Sequence, residues 1–231
     1  MPHAIAITGA ASGIGAAIAE AAKGRWRLAL ADRTAAEGLT SLDVTDEAAV
    51  AAWMNDIEGL RGVVCCAGIS ADTPLLDTEP ALFRRILDVN VTGSFLVAQA
   101  AARRMAAEGQ GGSIVLISSV SGLRGAKGRV AYGASKAAVI NMAQVMAIDL
   151  AHHGIRANAI CPGPIETPMV ARLHDPATRE NWLSRIPAAR YGRVEEVAEA
   201  ALFLLDPARS GYINGHALAV DGGFAGAGLL A

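Results

Sequence analysis

The sequence predicts a single α/β domain built on a doubly wound parallel sheet of about seven strands, and three observations carry that expectation. Short β-branched runs alternate with longer alanine-rich helical stretches, the pattern of repeated βαβ units around a buried sheet. The first strand runs straight into a glycine-rich turn at the head of a helix. The 231 residues are 52% hydrophobic and 18% charged, ample for one large core. No repeat, linker or low-complexity block divides them.

The elements follow in order. Residues 4–7 read as the first strand and 13–23 as the helix after it. Residues 27–31 form a second strand and 39–44 a third. About six residues separate these two, too few for a crossover helix, although extended they cover about 20 Å. A bare loop is expected there, with one sheet face thinly covered. Thr45 is expected to cap a helix over 46–57, and 62–66 is a fourth strand. Residues 80–108 read as one long helix and 113–118 as the fifth strand. A second long helix over 130–153 closes on Gly154. Residues 155–161 make a sixth strand and Ala217–Val220 a short last one.

The formal charge is −2 with no basic block, so neither nucleic acid nor a membrane is an expected partner. Of the three cysteines, Cys65 and Cys66 are adjacent and Cys161 is remote, which suits a reducing compartment. No secretory leader or spanning helix is read. The expectation is a cytoplasmic globule that needs no metal.

In the turn after the first strand, Gly9 permits a tight bend, Gly13 a close phosphate approach, and Gly15 the packing of helix on strand. Ser12 and Ile14 complete it. Backbone N–H groups and the helix dipole there can meet a pyrophosphate, although the spacing G-xxx-G-x-G departs from G-x-G-x-x-G. A mere tight connection is the plain alternative. Asp32 ends the second strand, where a carboxylate accepts from an adenosine ribose and repels a 2′-phosphate. That speaks for NAD over NADP, with an ordinary turn residue as the alternative. Arg33, next along, is able to accommodate a 2′-phosphate. Asp43 and Val44, and Ala67 and Gly68 after Cys66, would flank the adenine and its ribose, or serve as turn residues.

Tyr132 and Lys136 lie i and i+4 on one helix, hence on one face. A phenol titrates near 10 in isolation and a nearby ammonium favours its phenolate, so the pair suits acid–base chemistry. Ser119, at the C-terminal end of the fifth strand, stands where open α/β sheets keep their ligands.

With residues 8–15, Asn90, Ser119, Tyr132-Gly133-Ala134-Ser135-Lys136 and Pro162-Gly163, the chain resembles the short-chain dehydrogenase/reductase family. Order and spacing match as far as Asp221-Gly222-Gly223. The resemblance implies a Rossmann-type fold and hydride transfer between a small alcohol or ketone and a nicotinamide dinucleotide. It implies that Tyr132 is the acid/base and that Lys136 lowers its pKa and binds the nicotinamide ribose. Ser119 would orient the substrate oxygen, with Ser118 the lesser candidate. Asn90 would bend its helix and hold a water linking Lys136 to solvent. Pro162, Gly163, Ile165 and Thr167 would seat the carboxamide, and Asp32 matches the position for NAD preference. Residues 164–190 would form a lid with an apolar underside of Met169, Val170, Leu173, Trp182 and Leu183, or an ordinary helical hairpin packed on the core. A homotetramer built from the two long helices is implied, and the apolar tail 224–231 suits a subunit contact.

Two features depart from the family. Cys65-Cys66-Ala67-Gly68 replaces Asn-Asn-Ala-Gly, removing an asparagine that usually pins neighbouring backbone; the cysteines read as small core residues. The second crossover is shortened. Arg124, Lys127 and Arg129, ahead of Tyr132, read as a solvated loop or as an attraction for acidic substrates. His174 in the lid could touch substrate, although a lone loop histidine ordinarily does nothing special. The competing readings are an NADPH-dependent 3-oxoacyl thioester reductase and a dinucleotide sensor without chemistry.

Overall fold

β1 (Ala4–Thr8) is buried along its whole length, because its side chains divide between two apolar layers. Ala4 and Ala6 face one, Ile5 and Ile7 the other. Alternate side chains of a strand point to opposite faces, so a parallel sheet covered on both sides reads as an unbroken apolar run. The computed structural model of the chain describes residues 3–226. After β1 come α1 (Gly13–Ala22), β2 (Arg27–Asp32), β3 (Thr40–Ser41), α2 (Glu47–Asn55) and β4 (Leu60–Cys65). α3 (Pro80–Leu87), α4 (Ser94–Glu108), β5 (Gly112–Ile117), α5 (Val130–Asp149) and β6 (Ile155–Pro162) follow. α6 (Pro168–Leu173), α7 (Pro176–Leu183), α8 (Val194–Leu205) and α9 (Pro207–Ser210) precede β7 (Ala217–Val220).

The strands form one sheet in the order β3-β2-β1-β4-β5-β6-β7, every pairing parallel. The doubly wound α/β expectation holds. Helices α2, α4 and α5 cover one face, while α1 and α8 cover the other. Strand order reverses between β1 and β4, which opens a crevice at their C-terminal ends. No helix among the described residues is long and apolar enough to cross a membrane.

The structure corrects four local expectations. The helix expected over 80–108 is broken by a π-helical stretch, Asp88–Gly93, that carries the buried Asn90. Asp46, not Thr45, caps α2 by accepting from Ala49 N at 3.0 Å; the Thr45 hydroxyl is taken by Asp43 instead, at 2.7 Å. β3 has only two residues. Helix α8, with Val197, Ala198, Ala201, Leu202, Leu204 and Leu205 buried, was not anticipated, although that spacing is helical. The β2–β3 crossover is the bare loop expected. Beside it Trp26, Leu28, Leu30 and Leu39 are only partly buried, so the sheet is thinly covered there. Residues 227–231 of the apolar tail lie outside the described residues.

Candidate active site

The glycine turn sits at the crevice. Gly9 and Gly13 have φ of +70° and +56°, a region that costs an L side chain energy and glycine nothing. A Cβ on Gly15 would lie 2.1 Å from the Gly9 carbonyl oxygen, so Gly15 lets α1 pack against its own turn. Ser12 is the N-cap of α1 with extended backbone, yet its side chain makes no capping bond, and the first turn holds no acidic residue. The helix therefore presents free N–H groups and uncompensated positive dipole to the crevice. Ile14 packs against the core face that α1 covers. Thr167, the N-cap of α6, leans over this turn, its methyl 3.5 Å from where a Gly13 Cβ would be.

Asp32 closes β2 beside the turn. One carboxylate oxygen accepts from Ala11 N at 3.1 Å and the other from Thr34 N at 2.9 Å, which fixes the group in place. Arg33 is exposed next to it. Asp43 accepts from Thr45 N and its hydroxyl, and those bonds, with Arg85 alongside, hold its carboxyl below the usual range. Val44 is buried against Gly93. Thr8 pins the backbone after β4: its Oγ1 accepts from Cys66 N at 3.2 Å and Ala67 N at 3.4 Å. A Cβ on Gly9 would strike Ala67 N at 2.8 Å, so turn and loop touch. Burial pushes all three thiols up, Cys66 to about 12 and Cys161 to about 11. As protonated thiols they are core residues.

Across the crevice, Tyr132 and Lys136 occupy the first two turns of α5. Lys136 is buried, its Nζ donates to the Ile117 carbonyl at 2.8 Å, and it lies 5.6 Å from the centre of the Tyr132 ring. Ser118 Oγ donates to the Lys136 carbonyl at 2.7 Å, so Ser118 is spent on backbone. Ser119 Oγ accepts from Ser121 N at 3.1 Å, which leaves its proton to give. Asn90 is fully buried: its Oδ1 accepts from Ile69 N at 2.8 Å and its Nδ2 donates to Ile69 O and Ser135 Oγ. Ser135 in turn donates to the Tyr132 carbonyl at 2.7 Å. Gly68 closes the circle, since a Cβ there would sit 3.1 Å from Asn90 Oδ1 and 3.5 Å from Lys136 Nζ. Thus Asn90, Tyr132, Lys136 and the loop after β4 lie together, and Ser118, the neighbour of Ser119, ties the end of β5 to Lys136.

Pro162 ends β6, and Gly163 N donates to Val220 O at 3.0 Å. The Ile165 side chain is buried in the core rather than open to the crevice. The region past it brings two corrections. Arg129 is no solvated cation: its Nε pairs with Asp72 at 2.7 Å, Nη1 donates to Ser70 Oγ at 3.0 Å, and Nη2 meets His174 Nε2 at 3.3 Å. His174, read as an ordinary loop histidine, is 7% exposed and bonded to the Tyr191 hydroxyl at 2.9 Å. Sequence reasoning also passed over Thr8 and Ser135. Only Arg129 carried a cue, as a cation just before Tyr132.

Comparison with known proteins assigns the family. The family model described as "Enoyl-(Acyl carrier protein) reductase" matches residues 9–225. The chain belongs to the short-chain dehydrogenase/reductase family. It is 40% identical to cis-4-hydroxycyclohexanecarboxylate dehydrogenase of Sinomonas cyclohexanicum, with 94% of each chain covered. It is 37% identical to a 3-oxoacyl-[acyl-carrier-protein] reductase of Thermotoga maritima, over 94% of this chain and 95% of the relative. The solved structure of a gluconate 5-dehydrogenase from Burkholderia cenocepacia, in complex with NADP and tartrate, superposes with a TM-score of 0.91. It is 33% identical, covering 98% of this chain and 96% of that one. This short-chain dehydrogenase/reductase is an oxidoreductase of the secondary-alcohol dehydrogenase type, a class served by NAD(P).

Proposed function

We propose that the chain is a cytoplasmic, NAD-dependent dehydrogenase that interconverts a secondary alcohol, polyol or cyclic alcohol with its ketone. The observation that carries this reading is the placement of the Lys136 ammonium between the Tyr132 ring, the Ile117 carbonyl and the Gly68 backbone. The residues fit a dinucleotide. The glycine cradle and uncapped α1 suit the pyrophosphate, and the pinned Asp32 carboxylate suits ribose hydroxyls and repels a 2′-phosphate. A bound nicotinamide supplies the hydride acceptor or donor.

The side chains handle the proton. In oxidation Tyr132 Oη takes the hydroxyl proton of the alcohol, and in reduction it returns one. Lys136 favours the phenolate by its charge and would hold the nicotinamide ribose. Ser119 Oγ donates to the substrate oxygen and fixes it beside Tyr132. Asn90 acts at one remove, tying the bend in its helix to Ile69 and to Ser135, and holding a water that connects Lys136 to solvent. Residues 164–190 close over the substrate and exclude water during transfer. A homotetramer fits the exposed Phe95, Val145 and Ile148 on α4 and α5, and light scattering at two concentrations tests it.

A second reading, an NADPH-dependent 3-oxoacyl thioester reductase, is favoured by Arg33 and by the Thermotoga maritima relative. A turnover screen of secondary alcohols, polyols and ketones with NAD and NADP side by side separates the two. Tyr132→Phe completes the test, because lost turnover with retained NAD binding is expected of the enzyme and not of a sensor.

A further inference from the structure

Neither α6 nor α7 buries a single residue, yet His174 between them is 7% exposed. Ile165 and Ile186 are buried towards the ends of the 164–190 segment and Trp182 packs on Phe224, while near its middle the buried side chain is the His174 imidazole. That imidazole stacks on Trp182, with centroids 6.1 Å apart and planes 7° off parallel. Its Nδ1 meets the Tyr191 hydroxyl at 2.9 Å and its Nε2 meets Arg129 Nη2 at 3.3 Å. A guanidinium only donates, so Nε2 must be the acceptor and the ring proton sits on Nδ1, pointing at the tyrosine oxygen.

Arg129 extends this contact to the reacting end. Its guanidinium carbon lies 5.4 Å from the centre of the Tyr132 ring. Its other nitrogens hold Asp72 and Ser70, and Thr73 N donates to Gly128 O at 2.9 Å alongside. One side chain thus joins the loop after β4, the start of α5 and the segment above them.

We propose that Arg129 and His174 form a latch that positions the 164–190 segment over Tyr132 while His174 is neutral and releases it when the imidazole is protonated. This rests on reading that segment as the substrate lid. The proton would arrive on Nε2 and set N–H against N–H and cation against cation. Burial first, then the Arg129 charge, hold the imidazole below its ordinary value. Asp72 and Asp175 oppose that, while Arg179, which lies 4.3 Å over the Tyr191 ring and pairs with Glu166, adds to it. An opened segment frees His174 to titrate near 6.5. Opening is then favoured by up to about tenfold one pH unit below that value, because the open form alone takes up the proton.

Hydrogen–deuterium exchange on the whole protein, corrected for intrinsic rates, tests this without any substrate. Peptides within 168–186 should exchange up to about tenfold faster at about pH 5.5 than at about pH 7.5, while β4 and β5 peptides hold steady. In His174→Gln, whose amide offers one acceptor and one donor but does not titrate, that pH difference should vanish. In His174→Phe and Arg129→Met, exchange should be fast at both values. A wild-type lid indifferent to pH, a His174→Gln variant that keeps the difference, or acceleration shared equally with β5 would overturn the latch. A wild-type protein without turnover, or a Tyr132→Phe variant as active as wild type, would instead count against the enzyme reading, so the two failures stay distinct.

Discussion

The Lys136 ammonium donates to the carbonyl of Ile117 at 2.8 Å and lies 5.6 Å from the Tyr132 ring centre. One buried cation is thus fixed by the sheet and offered to the phenol. Lys136→Met removes that charge while keeping the apolar stem. kcat/KM should fall by at least about 10²-fold, the lower end of what positioned acid–base catalysis contributes, and NAD should bind several-fold more weakly. Steady-state kinetics and a cofactor titration check both. Retention of a tenth or more of the activity would show that Tyr132 works without the lysine.

Asp32 is held by Ala11 N and Thr34 N, so its charge cannot swing away from an incoming 2′-phosphate. Asp32→Ser should raise the ratio of NADP to NAD specificity by about tenfold or more, since one such charge contact is worth roughly 1.4 kcal/mol or above. Side-by-side kcat/KM values give the answer. An unchanged ratio would mean that Arg33 already governs the choice.

How far the sequence discloses this molecule depends on the physics at each position. The buried strands were legible because both faces of a parallel sheet need apolar residues, and the pairing of Tyr132 with Lys136 because four residues along a helix share one face. Helix α8 was passed over although its apolar residues recur with helical spacing and Glu195 and Glu196 mark its first turn. The π stretch at Asp88–Gly93 could not be read from periodicity, since it depends on Asn90 bonding to Ile69 and Ser135 across the fold. Thr8 and His174 are of the same kind. Their partners, Cys66, Ala67, Arg129 and Tyr191, are distant in sequence, and tertiary packing alone assigns them.

Asn90→Ala would strand the Ile69 N–H and take the donor away from the Ile69 carbonyl and Ser135 Oγ. Leaving buried polar groups unpaired costs about 1–3 kcal/mol each, so a loss of about 2–4 kcal/mol is expected. For a domain of this size that lowers Tm by about 5–15 °C. Thermal unfolding followed by circular dichroism measures it, and a Tm within a degree or two of wild type would remove Asn90 from the framework.

Glu196 is bonded by the Arg190 guanidinium and by Arg193 N, and these contacts hold its carboxyl well below 4.5, at about 2. The folded value is depressed, so its contribution to the start of α8 is whole above pH 4.5 and drains away as pH falls towards 2. The Tm difference between wild type and Glu196→Gln should therefore be widest near neutrality and close progressively below pH 4.5. A gap of constant width down to acid pH would contradict the ion-pair explanation.

The glycine turn offers a contrast between two alanine substitutions. A methyl group on Gly15 would fall 2.1 Å from the Gly9 carbonyl oxygen, whereas one on Gly125 meets nothing within 4 Å. Gly15→Ala must push α1 away from its own turn, and backbone cannot yield as a side-chain tip can. Overpacking of this kind costs about 1–3 kcal/mol, or about 2–12 °C in Tm. The displaced N–H groups should also weaken NAD binding by about tenfold or more, the worth of one hydrogen bond to a charged group. Gly125→Ala should stay within about 0.5 kcal/mol of wild type and bind NAD normally. Thermal unfolding and nucleotide titration of the two variants separate the cases. If Gly15→Ala lost stability but kept its NAD affinity, the turn would be a tight connection and the pyrophosphate would have to be held elsewhere.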